Sequence, residues 1–176
     1  MKKKILALGC MAALLAFGSE AQAADNINGT ATATIQNAVS IANNTSATGG
    51  GVLAFGTIVA GTQAGSVDVS TTGTPSYHTV IGASGATTSA AAFTVTGGAG
   101  NTFTVTLPSS ATLTHSTLMS KTMTVNSFVS SAAGVGGGTI GADGTVGFTV
   151  GGTLTVAANQ TNGSYTGTFN VSVAYN

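Results

Sequence analysis

The sequence predicts an all-β protein built as an antiparallel β-sandwich, and three observations carry that expectation. Apolar and hydroxyl side chains alternate with period two along the chain, and no apolar 3.6-residue period appears after the first two dozen residues. Gly, Thr, Ala, Ser and Val dominate, whereas the helix formers Leu, Glu, Lys and Arg are scarce. Apolar residues make up 43% of the 176 and charged residues 5%, the reverse of the balance that keeps a chain disordered.

The first residues read as an export signal. Lys2, Lys3 and Lys4 precede an apolar run from Ile5 to Phe17, and Ala21-Gln22-Ala23 supplies a small-x-small cleavage site. Residues 1–23 are therefore expected to be removed, leaving 153 of 176, enough for one domain with its own core. The run is too short to span a membrane, and no later segment supplies the ~20 apolar residues a span needs. Its cysteine, Cys10, is the only one in the sequence, so no disulfide is expected in the secreted chain. Lipidation at Cys10 is disfavoured by the short apolar run and by Ala7 three residues upstream.

Strands are expected in order along the remainder. In ATATIQNAVSI at 31–41, Ala31, Ala33, Ile35, Val39 and Ile41 share one face, with Asn37 as the flaw. VLAFGTIVAG follows at 52–61, then SVDVS at 66–70. AAFTVTG at 91–97 and TFTVTL at 102–107 flank Gly98-Ala99-Gly100-Asn101, which reads as a hairpin. In KTMTVNSF, Met123 and Val125 share a face while Phe128 falls on the other parity, so a bulge near Asn126–Ser127 is expected to return it to the core. GFTVGGTLTV at 147–156 carries Phe148 and Val150 before a Gly151-Gly152 kink, and Leu154 and Val156 after it. The closing stretch GSYTGTFNVSVAYN at 163–176 alternates almost without fault. Eight to ten short strands result, with no helix to make parallel crossovers and no fixed-period repeat.

The chemistry available is sparse. After the signal, the titratable groups are Lys121, Asp25, Asp68, Asp143, His78 and His115, apart from tyrosines. A single lysine without arginine cannot neutralise a phosphate backbone, which excludes nucleic-acid binding, and it argues equally against electrostatic attachment to a membrane. Asp68, between Val67 and Val69, is expected to face solvent. The two histidines stand 37 positions apart without paired carboxylates, so they read as polar loop or strand-edge residues rather than metal ligands or bases. The GGG runs at 49–51 and 136–138 lack a following GK[ST] and read as loops. Asn-x-Ser/Thr sequons such as those at Asn28 and Asn162 carry little weight in so Asn- and Thr-rich a chain. No catalytic residue, metal or cofactor is expected.

Four runs together resemble a known family: LAFGTIVAGT at 53–62, AAFTVTGGAGNTFTVTLP at 91–108, FTVGGTLTVAANQ at 148–160 and GSYTGTFNVSVAYN at 163–176. In this order they resemble an uncharacterised family of secreted Gram-negative β-sandwich proteins, known mainly as a domain of unknown function. The chain is also similar to chaperone–usher fimbrial subunits, through the penultimate Tyr175 and through Gly163, fourteenth from the end. That second resemblance implies an immunoglobulin-like sandwich lacking one strand. The N-terminal extension of the next subunit would complete it, after a periplasmic chaperone and an outer-membrane usher had handled the subunit in transit. It departs from the best-known pilins in having no disulfide between early strands.

The expected organisation is a removed signal over 1–23, a candidate donor strand over 24–41 and a sandwich over 42–176. The candidate interaction residues are Ala31, Ala33, Ile35, Val39 and Ile41 on the donor, with Gly163, Phe169, Val171, Val173 and Tyr175 on the closing strand. Fully extended, the eleven residues 31–41 span about 36 Å at ~3.3 Å each. Burying Ile35, Val39 and Ile41 gives an upper bound of ~5–9 kcal/mol, comparable to a domain's net ~5–15 kcal/mol. Whichever groove receives that strand decides whether the subunit is stable alone. A neighbour's groove makes an open-ended fibre on the cell surface. The chain's own groove makes a stand-alone secreted module that binds glycan or protein through its glycine-rich loops, although without Trp to stack on sugar rings. A secreted hydrolase is the weakest reading, for want of clustered acids.

Overall fold

A computed structural model describes residue 30, residues 32–132 and residues 137–176. The expected signal over 1–23 lies outside the described residues, as does Ala31. Residues 35–176 form one compact unit, separate from the unit that holds the described residues before Ile35.

The described residues are all-β, and antiparallel sheets form a curled, sandwich-like arrangement. Thirteen strands occur in chain order: β1 (Ser40–Asn43), β2 (Ile58–Val59), β3 (Gly65–Val69), β4 (Pro75–His78), β5 (Ile81–Gly82), β6 (Ala91–Thr96) and β7 (Thr102–Thr106). They continue with β8 (Ser110–His115), β9 (Thr122–Ser130), β10 (Gly138–Thr139), β11 (Thr145–Val156), β12 (Tyr165–Thr166) and β13 (Ser172–Tyr175). The count exceeds the expected eight to ten because several strands are only two residues long.

The larger sheet runs β1-β6-β11-β9-β8-β12, with β3 also on β11 and β4 on β3. One edge of β11 serves β6 along Thr145–Val150 and then β3 along Gly152–Val156; the other edge pairs with β9. A second sheet runs β10-β7-β13, and β2 pairs with β5 in a separate ribbon.

Alternation fixes the two faces as expected. Phe148, Val150, Leu154 and Val156 on β11 are all buried, and so are Met123 and Val125 on β9. Thr102, Thr104, Thr122 and Thr124 lie on the wet faces. The bulge is where parity demanded it. Val129 pairs with Gly151 but Asn126 pairs with Thr153, so Ser127 and Phe128 oppose Gly152 alone. Ser127 absorbs the extra residue at φ 48°, and Phe128 packs against the core.

Two expectations about pairing fail, for a shared reason. Segments 91–97 and 102–107 are not a hairpin, because β6 gives both its edges to β1 and β11 and leaves none for β7. The chain instead arches across to the second sheet, where β7 pairs with β10 and β13. The arch takes its hydrogen bonds from the neighbouring turn, through Gly97 N–H to Gly144 C=O and Gly100 N–H to Ile140 C=O. Segment 31–41 is likewise not one long strand. Only Ser40 onward finds a strand partner, the outer edge of β6; of the described residues before it none lies in a strand, and the Asn37 carbonyl is held by the Tyr175 hydroxyl instead.

The core divides along β11. One cluster holds Ala91, Phe93, Val95, Phe103, Ile140, Phe148 and Val150, sealed between the larger sheet and the β10-β7-β13 sheet. The other holds Phe55, Val67, Val69, Val80, Met123, Val125, Leu154 and Val156. Leu53 and Phe128 pack against both.

Candidate functional site

The second cluster is covered differently from the first. One side of its cover is segment 52–60, which sequence alternation marks as a strand. In the fold it makes only a single bridge, Ala54 to Ser89, and the two-residue pairing of β2 with β5. The other side is segment 160–169, where β12 pairs with β8 for two residues. Neither segment has a ladder to the other. Between them lie two partly open cavities, of about 300 and 980 Å³.

The smaller cavity is lined by Phe93, Phe128 and Phe169, and the larger by Ile58, Met123, Leu154, Val156 and Tyr165. Val52, Leu53, Phe55, Leu113 and Gly167 line both, so the two join into one groove above the core. No charged side chain lines either cavity. The aromatic end is braced by Phe93 on Phe148, with ring centroids 5.4 Å apart, and by Phe128 stacked on Phe169 at 5.1 Å.

The closing stretch keeps its predicted parity but not its continuity. Tyr165, Phe169, Val171, Val173 and Tyr175 turn inward and their neighbours turn out. Its first part pairs with β8 in the larger sheet and its last part with β7 in the second sheet, and no strand is formed over 167–171. The stretch therefore crosses from one layer to the other. Gly167 permits the crossing, since a Cβ there would stand 2.2 Å from the Thr112 carbonyl oxygen.

Gly163 has an equally local cause. Its φ is +141°, and a Cβ would stand 2.1 Å from Nε2 of His115. His115 was expected on a polar loop or edge, yet it is only 5% exposed. Its Nδ1 accepts the backbone N–H groups of Thr117 (3.1 Å) and Leu118 (3.0 Å), so Nε2 carries the proton and donates to the Asn162 carbonyl at 2.9 Å. Its ring meets Tyr165 edge to face at 5.0 Å. The imidazole thus clamps the start of the closing stretch, at the polar end of the groove. His78, by contrast, is exposed on β4 and pairs with Asp68 at 2.9 Å, away from the groove.

Tyr175 ties down the other end. Its hydroxyl accepts the Gly98 N–H at 2.8 Å and donates to the Asn37 carbonyl at 2.8 Å. Of the expected interaction residues, Val39, Ile41, Phe169, Val171, Val173 and Tyr175 all pack against the sealed cluster. Gly163 stands at the opposite end of the closing stretch. Ala33 and Ile35 are exposed and outside any strand, Ile35 at 95%. Residues 24–29 of the expected donor range 24–41 lie outside the described residues, like Ala31, and the described part is divided, because Ser40 and Ile41 already pair with Thr96 and Val95 of the same chain.

Leu53, Phe55, Leu113, Phe128 and His115 shape the groove, and none was singled out as a site residue from sequence. The LAFG run was the available signal for the first two. Among the described residues, no three of His, Cys, Asp and Glu come together as a metal-ligand set.

The domain of unknown function DUF4402 matches residues 45–175, and the chain belongs to that family. The match takes in both sides of the groove and the whole closing stretch as far as Tyr175. No curated protein and no solved structure matches the chain.

Proposed function

We propose that this chain is an exported structural subunit of a fimbria or similar surface appendage, in which the N-terminal segment of one copy completes the sandwich of the next. One observation carries the reading. An uncharged groove with an apolar floor and a polar end, in two joined parts of about 300 and 980 Å³, overlies the core between two segments without a common ladder. The same chain carries an exposed, alternating apolar segment that its own sheets do not use. An added strand would satisfy both, through ladder hydrogen bonds and side chains inserted at every second position.

Because the segment that gives and the groove that receives are different surfaces, the contact is heterologous and propagates without closing. The subunit would be exported by its signal, held in the periplasm by a chaperone that covers the groove, and passed to an outer-membrane usher. A Thr- and Ser-rich surface with little charge suits close packing along a filament.

The test is direct. The secreted protein is run on a denaturing gel with and without boiling and imaged by electron microscopy. A ladder that collapses only on boiling, accompanied by thin fibres, is the expected result. A monomer whose stability survives deletion of residues 24–36 would overturn the reading.

A further inference from the structure

The groove's occupant can be narrowed further, resting on the reading that one copy completes the next. Asn37 is the residue that breaks the apolar face of 31–41, and in the structure the segment changes behaviour at that same residue. Downstream, Val39 and Ile41 pack on the chain's own core and Ser40–Asn43 pairs with β6. Upstream, Ala33 and Ile35 are exposed. The division coincides with a hydrogen bond, from the Tyr175 hydroxyl to the Asn37 carbonyl.

We infer that Tyr175 fixes Asn37 as the boundary between a self-paired stretch and an outgoing one, and that Ile35 is the anchor a second copy receives over Leu53, Phe55 and Leu113, where its two cavities meet. Three arguments support this occupant. Residues 30–36 carry no charge and neither does the groove lining, so docking strands no ion away from water. Ile35 is the only bulky apolar side chain between Thr30 and Asn37. Even the smaller cavity, at about 300 Å³, far exceeds the ~30 Å³ share of one water and has room for a branched side chain.

Reach adds a further argument to these. Asn43 lines the smaller cavity, and β1 alone spans about 10 Å between Ser40 and Asn43 at ~3.3 Å per residue. Two residues lead back from the pinned Asn37 to Ile35, a reach of about 7 Å, and Asn37 shares the Tyr175 hydroxyl with Gly98, two residues beyond the Thr96 that pairs Ser40, so it stands at the end of β1 away from Asn43. While Asn37 is held, the chain's own Ile35 falls short of its own cavity, and a second copy must supply the filling. The donated face is therefore shorter than the range 31–41 suggests: Val39 and Ile41 are kept at home.

The test uses full-length exported protein with single cysteines, since the sequence otherwise holds only Cys10 in its expected signal. Chains carrying Ile35→Cys are mixed with chains carrying Val52→Cys, an exposed position lining both cavities, and oxidised gently. Ser84→Cys, on an exposed loop, is the control. Cross-linked dimers at least tenfold above the control are expected. Dimers no more frequent than in the control, or an intrachain bond in the Ile35→Cys/Val52→Cys chain, would overturn the assignment.

Ile35→Asp should abolish the boil-sensitive ladder while leaving the monomer's melting temperature unchanged. A wild-type ladder that persists in I35D would sink this inference and spare the polymer reading, whereas a wild-type chain with neither ladder nor fibres would sink both. Tyr175→Phe should speed amide exchange across Ser40–Asn43 by roughly fivefold, one hydrogen bond's worth. Unchanged exchange would overturn the boundary role of Tyr175.

Discussion

The two halves of the core use the same kinds of side chain and end differently. In the sealed half, Val95, Phe103, Ile140 and Val150 are 0–1% exposed, because a three-stranded sheet lies over them. In the other half, Val67 and Val156 are as deeply buried, but Phe55 and Met123, 7–8% exposed, face a groove that reaches the first half only at its border, at Phe93. The difference lies in backbone pairing and not in hydrophobicity. β7 finds two neighbours, whereas segment 52–60 finds one bridge and a two-residue ribbon. A sandwich half without a ladder over it remains a place where another strand can be added.

The sharpest way to break this contrast is to mutate both halves alike. Phe103→Ala removes a fully buried ring from the sealed half and should cost about 3–5 kcal/mol in chemical denaturation of the monomer. Leu113→Ala, half-buried at the groove, should cost the monomer only about 1 kcal/mol, because its cavity is already partly open. In the proposed assembly the order should invert, with Leu113→Ala weakening the boil-sensitive ladder in proportion to the filling it lost. Equal costs in the monomer would mean that the two halves are equally closed.

The ends of the closing stretch extend the comparison at smaller scale. Gly163→Ala drives a Cβ toward Nε2 of His115 and holds a non-glycine residue at φ +141°. It should cost about 1–3 kcal/mol, measured by thermal melting. His115→Ala in the same chain should recover the part due to the clash, since the two sites are in contact and do not add. Tyr175→Phe, at the sealed end, removes one hydroxyl that serves Gly98 and Asn37 and should cost about 1 kcal/mol.

Much of the fold was legible because alternation specifies faces. Phe128's wrong parity alone located the bulge, and the parity of β11 separated its buried residues from its threonines. Alternation does not name a strand's partner. Gly98–Asn101 is as suitable for an arch between sheets as for a hairpin, and only distant β1 and β11, by occupying both edges of β6, decide between them. His115 was illegible for the same reason. Its burial rests on Asn162, 47 positions away, and nothing near it in sequence signals that contact. Most of the groove was hidden because it is a missing pairing between 52–60 and 160–169, and a strand signal reads the same whether or not a partner exists.

The smallest effect expected is electrostatic and lies at the sealed end. Asp143 accepts the Thr145 hydroxyl at 2.7 Å and the Thr145 N–H at 3.1 Å. These bonds, the hydroxyl first, hold its carboxyl below the ordinary value of 3.8. A carboxyl depressed in the folded state supports the fold above its unfolded pKa and loses that support as pH falls through its folded pKa. The loss should therefore begin near 3.8 and complete below it. Because the group is fully exposed, solvent screening keeps the contribution slight. Comparing wild type with Asp143→Asn cancels every other titrating group. The melting-temperature difference should be small and constant at neutral pH and shrink below 3.8 as the wild-type carboxyl is neutralised. A difference that stays flat through that range would show that the Asp143–Thr145 turn carries no charge-dependent stability, leaving β11 to begin on backbone pairing alone.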